Sequence, residues 1–297
     1  MTIAGSVGDG YGGQSAGYQF TTTNIAHDHR IGVYEVTNDQ WDKFQDELGV
    51  PVTGTPSSAY DQSSYYTGTK VPTNMVSWYE AAQFVNWLNI EAGHQPAYKF
   101  TGTQGTGSYT FDTWSAAEAD NGTNLYRHKD AFYYLPTENE WVKAGYWNGT
   151  DLQTYATTPG DTLHQGDGTS GTGWNYYDSS EYAHPGPWDV GSGSEELNGT
   201  FDMMGNIHER MESPWSDPNF GPGSVRGLRG GSFDSGYVNL VASSDRLYYN
   251  YPSNEYNYFG FRVASEVPVA VPVPLALPAG LIGLGLVMRR RRAPFSL

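Results

Sequence analysis

Long stretches of this chain carry no hydrophobic periodicity, and this limits how much regular secondary structure it can form. Residues 102–108 and 159–173 are rich in Gly, Thr, Ser and Asp, the residue types that favour turns and loops. The sequence also holds 37 Gly, 23 Tyr and 9 Trp, a profile far from that of a disordered chain. We therefore predict a compact, loop-rich domain whose interior is packed with aromatic rings.

Three helix starts are predicted from capping boxes, in which a Ser or Thr side chain and an acid or amide three residues later satisfy each other's free backbone amides. The pairs are Thr37 with Gln40, Ser77 with Glu80, and Thr137 with Glu140. In the second helix, apolar residues recur on one face from Ala81 to Leu88 and Gly93 ends it. Strand-like fragments lie outside the helices, at 30–36, 132–135 and 260–263. The sequence predicts one α+β domain with low regular secondary structure.

Charge and cysteine content exclude several classes of function. Lys and Arg number 16 against 32 Asp and Glu, so the formal net charge is −16 and a nucleic-acid partner is not expected. The chain has no Cys, which removes disulfides, thiolate catalysis, Cys-ligated zinc and iron–sulfur clusters together.

The carboxyl terminus has its own composition. A Pro-rich stretch at 267–275 leads into an apolar stretch at 277–288 and then into arginines 289–292. The apolar stretch is shorter than the roughly 20 residues of a spanning helix, and the arginines would stay cytoplasmic. We divide the chain into an amino-terminal extension (1–17), a domain (18–265) and this tail (266–297).

The tail resembles the PEP-CTERM sorting tails with a Val-Pro-Leu-Pro-Ala-like core, here at 273–279, although it has no Pro-Glu-Pro triplet. The resemblance implies removal by an exosortase-type protease and export to the surface of a Gram-negative bacterium, with a transient membrane anchor. An ordinary single-pass anchor is the alternative. Because residues 1–6 do not resemble a signal peptide, we expect a misplaced start or a truncated chain.

Five segments occur in a characteristic order along the domain. They are 32–38, 71–81, 135–141, 201–209 and 228–233, and they are followed by Gly-Phe-Arg at 260–262. Together they resemble the formylglycine-generating enzyme, or sulfatase-modifying factor, family over residues 18–265. The resemblance implies an irregular α+β fold related to that of C-type lectins.

Enzymes of this family use copper held by two cysteines to oxidise a sulfatase cysteine to formylglycine. The matching positions here are Ser235 and Leu240. Neither a hydroxyl nor an isobutyl group can hold Cu(I), which prefers soft thiolates, so copper is not expected. The leading prediction is therefore a binding module that has lost the oxidase chemistry. A sulfatase-modifying oxidoreductase, or an accessory factor for sulfatase maturation, is the alternative.

The segment 202–209 resembles a calcium-binding turn of the family. The resemblance implies side-chain oxygens from Asp202 and Glu209 and backbone carbonyls from Gly205 and Ile207, and such hard oxygens suit Ca²⁺. A second site would use Asn175 with Glu181. The alternative is that Asp202 and Glu209 only cap a turn.

The segment 243–259 is unusually rich in Tyr, Asn and Ser. Tyrosine gives large contact area at a small entropy cost, and Asn adapts its hydrogen bonds, so this composition suits recognition. The candidate ligand-binding residues are Tyr248, Tyr249, Asn250, Tyr256, Asn257 and Tyr258. Packing of these rings inside the fold is the alternative. We expect a calcium-stabilised module that binds a cell-surface or matrix polysaccharide or a protein.

Overall fold

This computed structural model describes residues 2–3, 20–21, 29–50, 66–176, 186–215 and 220–267. The chain divides into two units, Met1–Val267 and Pro268–Leu297, and the described residues all belong to the first. All but the first two residues of the predicted sorting tail therefore lie outside the described residues. Within the described ranges, no helix has both the length and the apolar character needed to span a membrane.

The three helices begin at the three predicted capping boxes. They are α1 (Asn38–Leu48), α2 (Trp78–Glu91) and α3 (Glu138–Tyr146), and both hydrogen bonds of each box are present. Helix α1 ends at Gly49, whose φ of 66° is a left-handed conformation that favours glycine. Helix α2 ends two residues before Gly93, as its sequence predicts.

The strands are short. They are β1 (Thr2–Ile3), β2 (Phe20–Thr21), β3 (His29–Ile31), β4 (Lys99–Thr101), β5 (Thr110–Asp112), β6 (Ala119–Asp120), β7 (Asn124–His128), β8 (Tyr133–Tyr134), β9 (His208–Pro214), β10 (Arg226–Arg229), β11 (Leu247–Asn250), β12 (Phe259–Gly260) and β13 (Ala264–Glu266). A 3₁₀ helix spans Val238–Val241. The predicted α+β class with low regular structure is confirmed in the described part of the chain.

Two small sheets organise the domain. One has the order β11-β10-β9-β12, in which only the β12–β9 pair is parallel, and the other has the order β3-β13-β8. The predicted strand at 30–36 is shorter than expected. After β3, Gly32 N still donates to Val263 O at 2.7 Å, and further along Val36 N donates to Phe261 O at 2.9 Å. The intervening residues leave the ladder.

Aromatic rings fill the core. In one cluster Trp41 stacks on Phe84 at 5.8 Å between ring centroids, and Phe261 contacts both rings edge-on. This cluster joins α1 to α2. A second cluster surrounds Trp141 of α3 and includes Tyr146, whose hydroxyl donates to backbone oxygens of the loops that pass over it.

Buried ion pairs connect the segments that resemble the family signature. Arg127 of β7 contacts Glu140 of α3 at 2.9 Å and Glu212 of β9 at 2.8 Å, and all three side chains are at most 4% exposed. Two further groups are Glu138 with Arg229 and Arg246, and Glu209 with Arg262. Through Arg127, Glu140 of α3 is joined to Glu212 of β9, and Glu138 of α3 is joined directly to Arg229 of β10.

The Arg127 contacts predict a large loss of stability when this cation is removed. Arg127→Met should lower the free energy of unfolding by about 3–5 kcal/mol, because Glu140 and Glu212 would remain buried without a positive counter-charge. Urea denaturation measures the change. Lys43→Met is the control, since its pair with Glu47 is exposed and should contribute about 0.5 kcal/mol or less. Equal effects of the two substitutions would contradict this account.

Candidate functional site

The segment 202–209 forms a tight turn that glycine and left-handed residues make possible. Asp202 and Asn206 have positive φ angles of 63° and 58°, and Gly205 has a φ of 94°. A Cβ atom on Gly205 would collide with the backbone oxygen of Asn175. Asn206 N donates to that same oxygen at 2.8 Å, so the turn brings Asn175 beside the predicted calcium residues. The two predicted calcium sites therefore meet at one place in the fold.

Glu209 of this turn is already fully hydrogen-bonded. Arg262 donates to its two carboxylate oxygens at 2.7 Å and 2.6 Å, and Trp141 Nε1 donates at 2.8 Å. The remaining N–H groups of Arg262 donate to backbone oxygens that include those of Gly32 and Phe201. Both partners are therefore satisfied without an added ion.

This arrangement does not fit the calcium ion that the resemblance implies. A calcium ion bound to Glu209 would have to displace Arg262, and Asp202 Oδ2 already accepts from Gly191 N at 2.9 Å. In the ranges that the structure describes, no group of three or more His, Asp or Glu side chains could hold a metal ion. Glu181 lies outside the described residues. The turn is present, but Arg262 provides the positive charge at Glu209.

Two buried acids beside this turn were not singled out from the sequence. Glu35 accepts from Asn206 Nδ2 at 2.6 Å and from Ile207 N at 3.2 Å, and Glu196 accepts from the backbone of the same turn at 2.9 and 3.0 Å. Burial raises the pKa of Asp202 to about 7 and that of Glu196 to about 8, and it raises the pKa of Glu35 as well. Burial therefore disfavours the charged form of all three acids. The only sequence signal was the position of Glu35 within segment 32–38.

The positions that match the copper cysteines offer no soft ligand. Ser235 is buried, and its hydroxyl accepts from Ser232 N at 2.8 Å. Leu240 lies in the 3₁₀ helix. Since a satisfied hydroxyl and an alkyl side chain are the only groups offered, these residues do not fit copper.

The tyrosine-rich segment presents rings at the surface. Tyr251 and Tyr256 are 49% and 44% exposed, and Tyr256 stacks on Tyr258 at 5.4 Å between centroids. Asn257 donates to the hydroxyl of Tyr66 at 3.1 Å. These residues form what we call the tyrosine face, residues 251–258.

Of the other predicted ligand residues, only the side chain of Asn250 is described. Asn250 is 5% exposed within β11, so it does not reach the surface as expected. Tyr248 and Tyr249 belong to the same strand, but their side chains lie outside the described parts of the chain. Tyr256, Asn257 and Tyr258 lie in the tyrosine face beside Tyr251, and their role in ligand binding stays a prediction.

The backbone of the tyrosine face is held by hydrogen bonds from elsewhere in the fold. Met75 N donates to Tyr256 O at 3.1 Å, and Trp78 N donates to Pro252 O at 2.9 Å. Arg210 donates to Asn254 O. The face is therefore fixed against the amino-terminal end of α2 and does not depend on its own regular structure.

An acid pair lies under the same face. Glu80 of α2 accepts from Ser77 N at 2.7 Å and shares a hydrogen bond with Glu255, and the buried Arg210 is nearby. Burial and the neighbouring Glu255 raise the pKa of Glu80 to about 8. The pair therefore holds a proton in neutral solution.

The fold and the turn define a domain of the formylglycine-generating enzyme type, and comparisons with known proteins agree. The family model for the sulfatase-modifying factor enzyme 1-like domain matches residues 5–267, so the chain belongs to this family. A chaperone protein, LppX, from Paenibacillus barcinonensis is 26% identical over 243 residues, which cover 74% of this chain and 73% of the relative.

Solved structures show the same fold. CarF superposes with a TM-score of 0.56 at 21% identity, covering 80% of this chain and 86% of its own. PvdO from Pseudomonas aeruginosa superposes with a TM-score of 0.52 at 17% identity, covering 80% of each chain. At these identities the likeness concerns the fold alone.

The raised pKa of Glu80 predicts a pH-dependent stability. The unfolded chain releases this proton near pH 4.5 and the folded chain near pH 8, so stability should fall as pH rises between these values. The slope from one such group is at most about 1.4 kcal/mol per pH unit. Glu80→Gln keeps a side-chain oxygen that can accept from Ser77 N, but it cannot ionise. The substitution should therefore remove the contribution of Glu80 to the pH dependence of stability. Urea denaturation from pH 5 to pH 8 measures it.

Glu91→Gln is the matched control, because Glu91 lies exposed at the other end of the same helix. It should leave the slope unchanged. An unchanged slope in Glu80→Gln would show that Glu80 ionises normally in the folded protein.

The pairing of Glu209 with Arg262 predicts that calcium is not needed for stability. Thermal melts in calcium-containing buffer and in EDTA should coincide within about a degree. A calcium site at a free Ca²⁺ concentration about 100 times its Kd would instead raise the Tm by roughly 5–10 °C. Asp202→Asn is the comparison variant. A calcium-dependent rise in the unmodified chain that Asp202→Asn abolishes would restore the calcium site.

Proposed function

We propose that this protein is a binding module of the sulfatase-modifying factor family, and that the tyrosine face is where it binds its ligand. The observation that carries the proposal is that exposed rings lie on a backbone that is held in place by hydrogen bonds. Tyr251 and Tyr256 are about half exposed, while Met75, Trp78 and Arg210 hold the chain that bears them.

Rings held on a fixed backbone lose little conformational entropy when a ligand binds, so the free-energy cost of binding is low. A tyrosine ring loses few rotamers when it is covered, and a fixed backbone loses no further freedom on association. Asn257 is held by Tyr66, which also packs against Phe233 at 6.1 Å between centroids. The face is thus continuous with the segment that carries the copper cysteines in catalytic members of the family.

The ligand that we favour is a polypeptide. The family resemblance implies protein substrates near this segment, and a relative of similar length is described as a chaperone protein. With a net charge of −16, the chain should prefer a neutral or basic partner. A cell-surface or matrix polysaccharide is the other ligand class for this face.

The proposal includes export and surface sorting through the tail at 266–297. The apolar stretch and the arginines 289–292 support it, because they match the order of a sorting signal. Removal of the tail by an exosortase-type protease would leave a surface-exposed module in a Gram-negative bacterium. Mass spectrometry of surface material that still contains arginines 289–292 would contradict this part.

The alternative of a sulfatase-modifying oxidoreductase has less support. Its copper would need soft ligands at Ser235 and Leu240, and the chain has no Cys anywhere. No other observation among the described residues favours it.

The tyrosine face predicts that a single ring substitution weakens peptide binding. The full chain should bind a subset of an array of random-sequence peptides, and Tyr256→Ala should reduce that affinity by about tenfold or more. Tyr34→Ala is the matched control, since Tyr34 is 46% exposed and Tyr256 is 44% exposed. Circular dichroism confirms that both variants fold. Equal binding by the two variants, or no bound peptide, would refute the polypeptide proposal.

A further inference from the structure

A cleft of about 390 Å³ opens between α2 and the β4–β5 hairpin, and the proposed function does not use it. Its volume falls within the range of small-molecule sites, roughly 300–1,000 Å³. The residues around it come from α1, α2, the hairpin and the segment after β5. The ones that matter for recognition are Glu47, Trp87, Glu91, Gln95, Phe100, Gln104, Tyr109 and Trp114.

Four aromatic side chains line this cleft while remaining partly exposed. Phe100 and Tyr109 stack across the hairpin at 4.8 Å, with their planes 13° apart. Trp87 Nε1 donates to Glu47 at 3.1 Å, and Trp114 Nε1 donates to a backbone oxygen at 2.8 Å. Because the indole N–H groups are already used, both rings are held in place. Lys43 Nζ lies 5.9 Å from the ring centroid of Trp87 and Lys99 Nζ lies 5.9 Å from that of Trp114, so the two rings offer a ligand the carbon surface that these ammonium groups leave uncovered.

Uncharged polar side chains accompany the rings. Gln104 is half-buried and, within the described part of the chain, its amide makes no hydrogen bond. Gln95 uses only its Nε2, in a long contact of 3.4 Å with the adjacent Pro96 O. Each amide can both donate and accept, which is what a hydroxyl group requires of its partner.

The charges around the cleft disfavour an anionic ligand. Glu47 and Glu91 both line it, and the ammonium group of Lys99 is engaged by Asp112 at 3.4 Å and by Thr113 O at 3.3 Å. A phosphate or a uronic acid would therefore meet these carboxylates, and the two ammonium groups nearby, those of Lys43 and Lys99, are already paired with Glu47 and Asp112. A neutral ligand would not be repelled by these carboxylates.

We propose that this cleft binds a neutral oligosaccharide. The rings would stack on the apolar C–H faces of the sugar, and Gln95 and Gln104 would exchange hydrogen bonds with its hydroxyls. The inference goes beyond the tyrosine face and concerns a separate set of residues. The two proposals are distinguished by their substitutions, since sugar bound in the cleft depends on Tyr109 and Gln104 and a ligand bound at the tyrosine face depends on Tyr256.

The test is titration of the full chain with neutral oligosaccharides, followed by tryptophan fluorescence and by calorimetry. The probes are cellohexaose, laminarihexaose, mannohexaose and chitohexaose. At least one should bind, and Tyr109→Ala should weaken that binding by about tenfold. Gln104→Ala should weaken it by a smaller factor, about threefold to tenfold. An oligogalacturonate of the same length should bind more weakly than the neutral probes.

Tyr34→Ala is the control, because it removes an exposed ring that belongs neither to the cleft nor to the tyrosine face and should leave sugar binding unchanged. Thermal melts establish that Tyr109→Ala and Gln104→Ala are folded, since both residues lie on the partly exposed hairpin. The proposal is overturned if none of the neutral probes binds. It is also overturned if Tyr109→Ala binds as tightly as the unmodified chain, or if the oligogalacturonate binds best.

Discussion

Buried pairs of carboxylate and guanidinium groups hold this domain together. A chain with such short strands cannot bury its loops through regular sheets, so other contacts must fix them. Arg127 reaches Glu212 across 85 positions, and Arg262 reaches Glu209 across 53. Each pair is fully buried, and its desolvation is offset only because nearly every N–H group finds an oxygen. The irregular fold therefore depends on these few polar contacts being complete.

This dependence separates the residues that fix the scaffold from the positions that carry copper in catalytic members of the family. The acids and arginines that carry the family resemblance are buried and engaged with one another, so their primary role is to fix the loops. The copper positions, by contrast, hold Ser235, whose hydroxyl accepts from Ser232 N, and Leu240, which lies in the 3₁₀ helix. A match to the signature segments is consequently evidence for the fold, and function has to be argued from the exposed side chains.

Local features were predictable from the sequence, whereas long-range partners were not. The capping boxes at Thr37, Ser77 and Thr137 placed all three helices, because each box involves residues only three positions apart. The partner of Glu209 was missed, since nothing local distinguishes Arg262 from a calcium ion as its counter-charge. The burial of Asn250 was missed for a similar reason. Asn250 is buried in β11, which pairs with β10, and composition alone indicated exposure.

Helix α2 connects the two surfaces that we assign to binding. Trp78, at its amino-terminal end, holds the backbone of the tyrosine face, and Trp87 and Glu91, near its other end, line the oligosaccharide cleft. At 1.5 Å per residue, Trp78 and Glu91 are separated by roughly 20 Å along the helix axis. Ligands at the two places would therefore not exclude each other. A module that holds a polypeptide at one end of a rigid helix and a neutral glycan at the other could link the two in a surface matrix, where repeated weak contacts add up to stable attachment.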